Sequence, residues 1–175
     1  MKGSDKKDLI FKATVQLIAD KGLNHFSMNN VCDAANISKG GFVYHFPSKD
    51  DLLIELNEYL VRYSIKLIRK KVEQTHSYTE AYLFACLDGY ASVEMKAYSA
   101  LTNYYSDTDF KASWNIFYEE VTENLLEENS TEWTQTILLA TDGLWFNGTT
   151  YPLDRLKKTF SFLLQQAQSS QKEND

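Results

Sequence analysis

A chain of 175 residues with 43% apolar side chains can close one or two hydrophobic cores without disulfide or metal staples. Cys32 and Cys86 lie far apart with neither a CxxC nor a Cys/His spacing, so neither a disulfide framework nor a zinc site is implied, and a reducing cytoplasm fits best. No apolar run approaches the ~20 residues of a membrane span, the opening MKGSDKKD is too polar for a signal peptide, and a net charge of −6 argues against indiscriminate binding to nucleic acid.

The first predicted helix covers 5–21, with Leu9, Ile10, Ala13, Leu17 and Ile18 on one stripe and Gly22 as the stop. Lys6, Lys7 and Lys12 read as solvated side chains on this brace. Leu23 and Phe26 then pack against the stretch that follows. Ser27 is an N-cap candidate for a short helix in which Met28, Val31, Cys32 and Ala35 share one narrow face. Asn36 tolerates a left-handed turn, and Ile37 fills the corner. Ser38 caps a second, very short helix, Lys39 to His45, before Phe46 returns to the core and Pro47 ends the run. Ser48 and Asp51 form a capping-box pair for the next helix.

A helix of this length is unstable alone, so neighbours must hold it. That is the geometry of a helix-turn-helix, whose second helix lies in the DNA major groove. Gly40 and Gly41 would let a duplex approach, Val43 can touch a thymine methyl or pack, and Lys39, Tyr44, His45 and Lys49 can donate to phosphates. A helical corner with a slightly basic, solvated tip satisfies the same spacing. Charge is unevenly placed: residues 1–75 hold 12 Lys and Arg against 9 Asp and Glu, the remainder 6 against 15. A mildly basic head on an acidic body suits contact with DNA at one end.

From Ile10 to Leu53, and above all in SKGGFVYHFPSKDDLL at 38–53, the chain resembles the N-terminal domain of TetR-family transcriptional regulators. The resemblance implies an all-α fold with a helix-turn-helix domain at 1–48, a connecting helix at 49–72, and an effector-binding and dimerisation domain over 49–175. It also implies that Ser27, Lys39, Gly41, Tyr44, His45 and Lys49 face DNA. Ser38, Gly40 and Val43 join them from the reading of the short helix. Asn36 stands where the family often has glycine, and Val43 where many members have an aromatic residue.

Beyond the connecting helix, with Leu52, Leu53, Leu56, Leu60, Tyr63 and Leu67 at helical intervals, the pattern stays helical and never alternates as a strand would. Ser77 to Glu80 reads as a capping box opening a helix that ends near Tyr90. Further helices are expected over 92–105, from about 109 to 127, over 131–146 and from Pro152 onward, about nine in all. Their aromatic content is high. Tyr82, Phe84, Met95, Tyr98, Leu101, Tyr105, Trp114, Phe117, Tyr118 and Trp145 are either core or the lining of a cavity for a small, largely apolar or aromatic effector. Asp88, Glu94, Glu119 and Asp142 nearby could neutralise a cation.

The last two helices are more apolar than one small domain requires. Leu138, Trp145, Leu156, Phe160, Leu163 and Leu164 either close the monomer core or form a homodimer interface, and the resemblance favours the dimer. His25, His45 and His76 are scattered, with no HExxH and no nucleophile elbow, so no enzyme is expected and no cofactor is implied. The expected partners are a palindromic double-stranded DNA operator, a small-molecule effector and a second copy of the chain, with no membrane. A DNA-binding helical scaffold with a filled core and no effector is the alternative.

Overall fold

The computed structural model describes residues 3–102, 108–146 and 151–172. Among these there are nine α-helices and no strand: α1 (Gly3–Lys21), α2 (Met28–Ala35), α3 (Lys39–His45), α4 (Lys49–Val72), α5 (Tyr78–Tyr90), α6 (Val93–Thr102), α7 (Thr108–Leu126), α8 (Thr131–Phe146) and α9 (Leu153–Lys172). The all-α reading holds. One element escaped the sequence, a single 3-10 turn at Leu23–His25 that follows Gly22, whose φ of 73° requires glycine.

The chain punctuates itself with serine. Ser27 Oγ accepts from the Asn30 amide, Ser38 Oγ from Gly41, and Ser48 Oγ from Asp51, while the Asp51 carboxylate takes the Ser48 amide at 3.0 Å and completes a capping box. Between α2 and α3, Asn36 sits in the left-handed region at φ 52°, and the Ile37 amide turns back to the Cys32 carbonyl. That hydrogen bond closes the corner of the two-helix unit. Ser77 caps α5 through the Glu80 amide, but the Glu80 carboxylate reaches the His76 amide instead of that of Ser77. The second half of the expected box is therefore absent.

Ile10, Val31, Phe42, Phe46 and Leu52 are fully buried and lock α1 to α4 together. Phe46 lies 5.5 Å from the Phe11 ring and 5.8 Å from Phe42. Lys7 is not a free surface lysine. Its Nζ reaches both Glu55 oxygens at 2.7 and 2.8 Å and stands 5.2 Å from the centre of the Phe46 ring, pinning α1 to α4. Helix α1 packs on α2 and also on α6, and α4 packs on α5, α6 and α7. Buried apolar side chains run as one contiguous cluster from Ile10 to Leu163. The long helix α4 is thus a shared lever between head and body.

Candidate nucleic-acid interface and internal cavity

Helix α3 is held from inside and presented outside. Phe42 and Phe46 anchor it at zero exposure, while Tyr44, two residues on from Phe42, is 84% exposed. Lys39, Gly40, Val43 and the cap Ser38 are exposed on the same outer surface, and Gly41 and His45 are half-buried beside them. The Tyr44 and His45 rings meet edge to face at 5.1 Å, which fixes the aromatic tip. An exposed tyrosine costs the fold nothing to keep, yet it gains nothing there without a partner. Lys49 opens α4 with its ammonium 4.7 Å from the centre of the Phe26 ring, which holds its charge in place. Ser27 is half-buried, and its hydroxyl already accepts the Asn30 amide. It can still donate its proton outward. The two glycines differ: a Cβ on Gly40 would meet nothing within 4 Å, whereas one on Gly41 would press on Ser38 Oγ at 3.2 Å.

In the body, aromatic rings stack in sequence. Tyr98 lies 4.3 Å from Trp114, Trp114 5.3 Å from Phe117, and Phe117 5.5 Å from Tyr118. With Tyr82 and Met95 they line a cavity of about 30 Å³. That is room for two or three waters, at ~10–15 Å³ each. Its polar handles are engaged within the chain: Tyr82 Oη with Thr141 Oγ1 at 2.9 Å, Tyr118 Oη donating to Asp142 Oδ1 at 2.7 Å, and Trp114 Nε1 donating to Asn57 Oδ1 at 2.8 Å. Burial pushes the Cys86 thiol up to about 12 and holds the Tyr98 and Tyr118 hydroxyls above their usual range, so all stay protonated at neutral pH. Burial also raises the Asp142 carboxyl, and the hydrogen bond from Tyr118 pulls it part of the way back.

Several expected cavity residues lie elsewhere. Leu101 is fully buried but off the cavity wall. Phe84 is 38% exposed and faces away, into an open groove of about 400 Å³ with Phe160 and Leu164 of α9. Tyr105 and the Trp145 side chain lie outside the described residues. The wall contains what the sequence reading omitted, Ser64, Leu67 and Ile68 of α4 with Ala85, Cys86 and Gly89 of α5. The 64, 67, 68 spacing was the available signal. Of the acidic residues, Asp88 pairs with Lys71 at 2.7 Å, and Asp142 is hydrogen-bonded to the wall.

The expected dimer face also needs correction. Leu156, Phe160 and Leu163 are buried within their own chain, where α9 packs on α5. At 3–7% exposure they have little surface left to offer a partner. Leu138 and Leu164 are half-buried. The most exposed apolar side chains described on these two helices are Leu139 of α8 at 73% and Phe162 of α9 at 57%.

Residues 10–56, which span the helix-turn-helix and the start of α4, match the family model described as bacterial regulatory proteins, tetR family. Over these residues the chain is similar to the DNA-binding domain of tetR-family regulators. Among curated relatives it is 34% identical over 71 residues to the HTH-type regulator YerO of Bacillus subtilis, and 30% identical over 79 residues to an HTH-type regulator of Haemophilus influenzae. Those alignments take in 41% and 45% of this chain but only 24% and 42% of the relatives' own lengths. Solved structures match along most of the chain. The TetR-family regulator SCO4454 of Streptomyces coelicolor superposes with a TM-score of 0.79 at 15% identity, covering 96% of this chain and 97% of the other. The fatty acid degradation regulator FadR of Bacillus halodurans gives 0.74 at 20% identity, over 94% and 97%. The multidrug binding protein EbrR, solved with malachite green, gives 0.65 at 14% identity, over 90% and 96%. At these identities the likeness establishes the fold and leaves the ligand open.

Proposed function

We propose that this protein is a homodimeric transcriptional regulator of the TetR family, a repressor, that binds a palindromic operator through α3 and is released by a small, largely apolar or aromatic effector. The observation that carries the reading is the split character of α3: Phe42 and Phe46 are fully buried, and Tyr44 is almost fully exposed beside Lys39, Gly40 and His45. A seven-residue helix fixed so firmly yet projecting an aromatic hydroxyl suits insertion into a groove. Lys39, Tyr44, His45 and Lys49 supply donors for phosphates, and the exposed glycine admits the duplex. Footprinting on DNA upstream of its own coding region tests this. Two half-sites about one helical turn apart are expected. Absence of any palindromic footprint at low salt would overturn the reading.

Coupling runs through α4. Ser64, Leu67 and Ile68 face the cavity, Asn57 takes the Trp114 indole proton, and Glu55 holds Lys7 of α1. An effector that favours a different seat for α7 tilts this helix and moves the head with it, provided it binds one state better than the other. The dimer places two heads on one face of DNA, and Leu139 and Phe162 are its contact residues. Changing both to glutamate is expected to give a monomer by light scattering, with operator affinity lost and helical content unchanged. A dimer that survives both charges would move the interface elsewhere.

The near-filled cavity favours a second reading, a DNA-binding scaffold without an effector. Thermal shift against aromatic cations, acyl chains and planar drugs separates the two. Stabilisation by any of them removes the scaffold.

A further inference from the structure

We propose that the open groove between α5 and α9 is a second ligand site, separate from the internal cavity, and that it takes an amphipathic monoanion with its head on Lys157 and its apolar body along Phe84 and Phe160. The groove measures about 400 Å³, within the range of small-molecule sites, whereas the cavity at about 30 Å³ is nearly filled. Leu83, Phe84 and Leu87 form one wall, and Phe160 and Leu164 the other. Phe84 is 38% exposed although its neighbours on α5, from Ala81 to Leu87, are buried. A ring left open on so buried a helix is apolar surface that a ligand gains by covering.

Charge decides which ligand. Beyond residue 75 the chain holds only six Lys and Arg, and three of them, Arg155, Lys157 and Lys158, stand within four residues at the start of α9. None of the three enters an ion pair among the described residues. Lys157 is the one that lines the groove. The acidic lining residue, Asp88, is already neutralised by Lys71 at 2.7 Å, and that lysine is only 20% exposed. An anion therefore meets an unpaired ammonium, while a cation meets no unpaired carboxylate. The Ser161 hydroxyl donates to the Lys157 carbonyl, so it adds no second donor. From Lys157 to Leu164 the helix advances roughly 10 Å at 1.5 Å per residue, which sets the length of the apolar body. Phe162, the proposed dimer contact, lies roughly 160° around the helix from Leu164 at 3.6 residues per turn. Dimer contact and groove thus occupy opposite flanks of α9.

Octanoate, 1-octanol and octylammonium share one chain and differ in the charge of the head. Each is titrated below its micellar concentration into the full-length protein, with calorimetry for affinity and a thermal melt for stabilisation. Octanoate is expected to bind tightest and to raise Tm, and added salt to weaken it while leaving octanol unchanged. Lys157→Gln should weaken octanoate by about fivefold, as loss of one solvent-facing ion pair implies, and leave octanol unchanged. Ser161→Trp places an indole in the groove from an exposed position. It should abolish binding of octanoate and octanol alike, with helical content unchanged by circular dichroism. No α9 side chain lines the cavity, so these two variants tell the sites apart. Octanoate that still binds Ser161→Trp sits elsewhere and overturns the groove. Octanol or octylammonium binding as tightly as octanoate overturns the anion class, as does unchanged affinity in Lys157→Gln. If none of the three binds the natural protein, the site fails outright. The effector reading concerns the cavity and stands or falls by its own ligand panel.

Discussion

Gly40→Leu is expected to abolish most operator binding while leaving the free protein at least as stable as before. Gly40 sits in the first turn of α3, exposed, in a conformation that any residue adopts, and a Cβ there meets nothing within 4 Å. The fold has no use for a glycine at this point. In a helix a glycine costs up to about 1 kcal/mol relative to alanine. Gly22 is the contrast, since its φ of 73° cannot be met cheaply by another residue. A glycine that costs stability and relieves no strain implies an external body that must come close. If that body is a duplex, a leucine side chain holds it off along with the Lys39, Tyr44 and Lys49 donors. A clash worth ~3 kcal/mol corresponds to roughly a hundredfold loss of affinity. Gly40→Ala should show the same trend more weakly, with a small rise in Tm. Gly41 is a poorer probe because its Cβ would also disturb the Ser38 cap at 3.2 Å. Anisotropy with labelled operator and a thermal melt on each variant give both readouts. Unchanged affinity in Gly40→Leu would remove the first turn of α3 from the interface.

What the sequence made legible follows from how locally each feature is determined. Ser27, Ser38 and Ser48 cap the helices they precede because a hydroxyl two or three residues from an orphan amide has few better options. Asn36 takes its left-handed turn for the same local reason. The anchor Phe46 follows from a helix too short to stand alone, whereas its fellow anchor Phe42 shows only in the structure. The 3-10 turn at Leu23–His25 buries nothing and leaves no periodic mark. Phe84 was misplaced because α5 is buried on nearly every side, from Thr79 and Ala81 to Gly89 and Tyr90, so its apolar pattern defines no single face. Leu156, Phe160 and Leu163 form a true stripe, but a stripe states that it is covered and not by which surface. Here α5 of the same chain covers it. Lys7 likewise needs Glu55, 48 residues away, before it becomes a tie rather than a solvated charge.

A polar tie across about fifty residues predicts the largest loss of stability. Glu128, in the turn between α7 and α8, reaches back about fifty residues to the start of α5. Its carboxylate accepts the Tyr78 amide at 2.6 Å, the Thr79 amide at 2.9 Å and the Thr79 hydroxyl at 2.8 Å. These two amides are orphan donors of the first turn, which Ser77 cannot reach because its hydroxyl already serves Glu80. A full negative charge at the positive end of α5 adds to the hydrogen bonds. Asn129 reinforces the tie by donating to Thr79 Oγ1 and to the Leu125 carbonyl, both at 2.8 Å. Glu128→Ala leaves the two amides and the buried Thr79 hydroxyl short of an acceptor. The expected cost is ~2–4 kcal/mol, the sum of charge-assisted bonds lost and donors stranded. For a chain of this size that lowers Tm by roughly 5–12 °C. Glu128→Gln keeps one acceptor oxygen and should fall between. Urea unfolding of the three proteins measures the series, and a shift below about 0.5 kcal/mol for alanine would mean that water replaces the carboxylate without penalty. Helix α5 also carries Tyr82, Ala85 and Cys86 into the cavity wall, so loosening its first turn reaches the proposed effector site. Well below its Tm, Glu128→Ala should therefore keep operator binding, which resides in α3, and blunt the response to a cavity ligand.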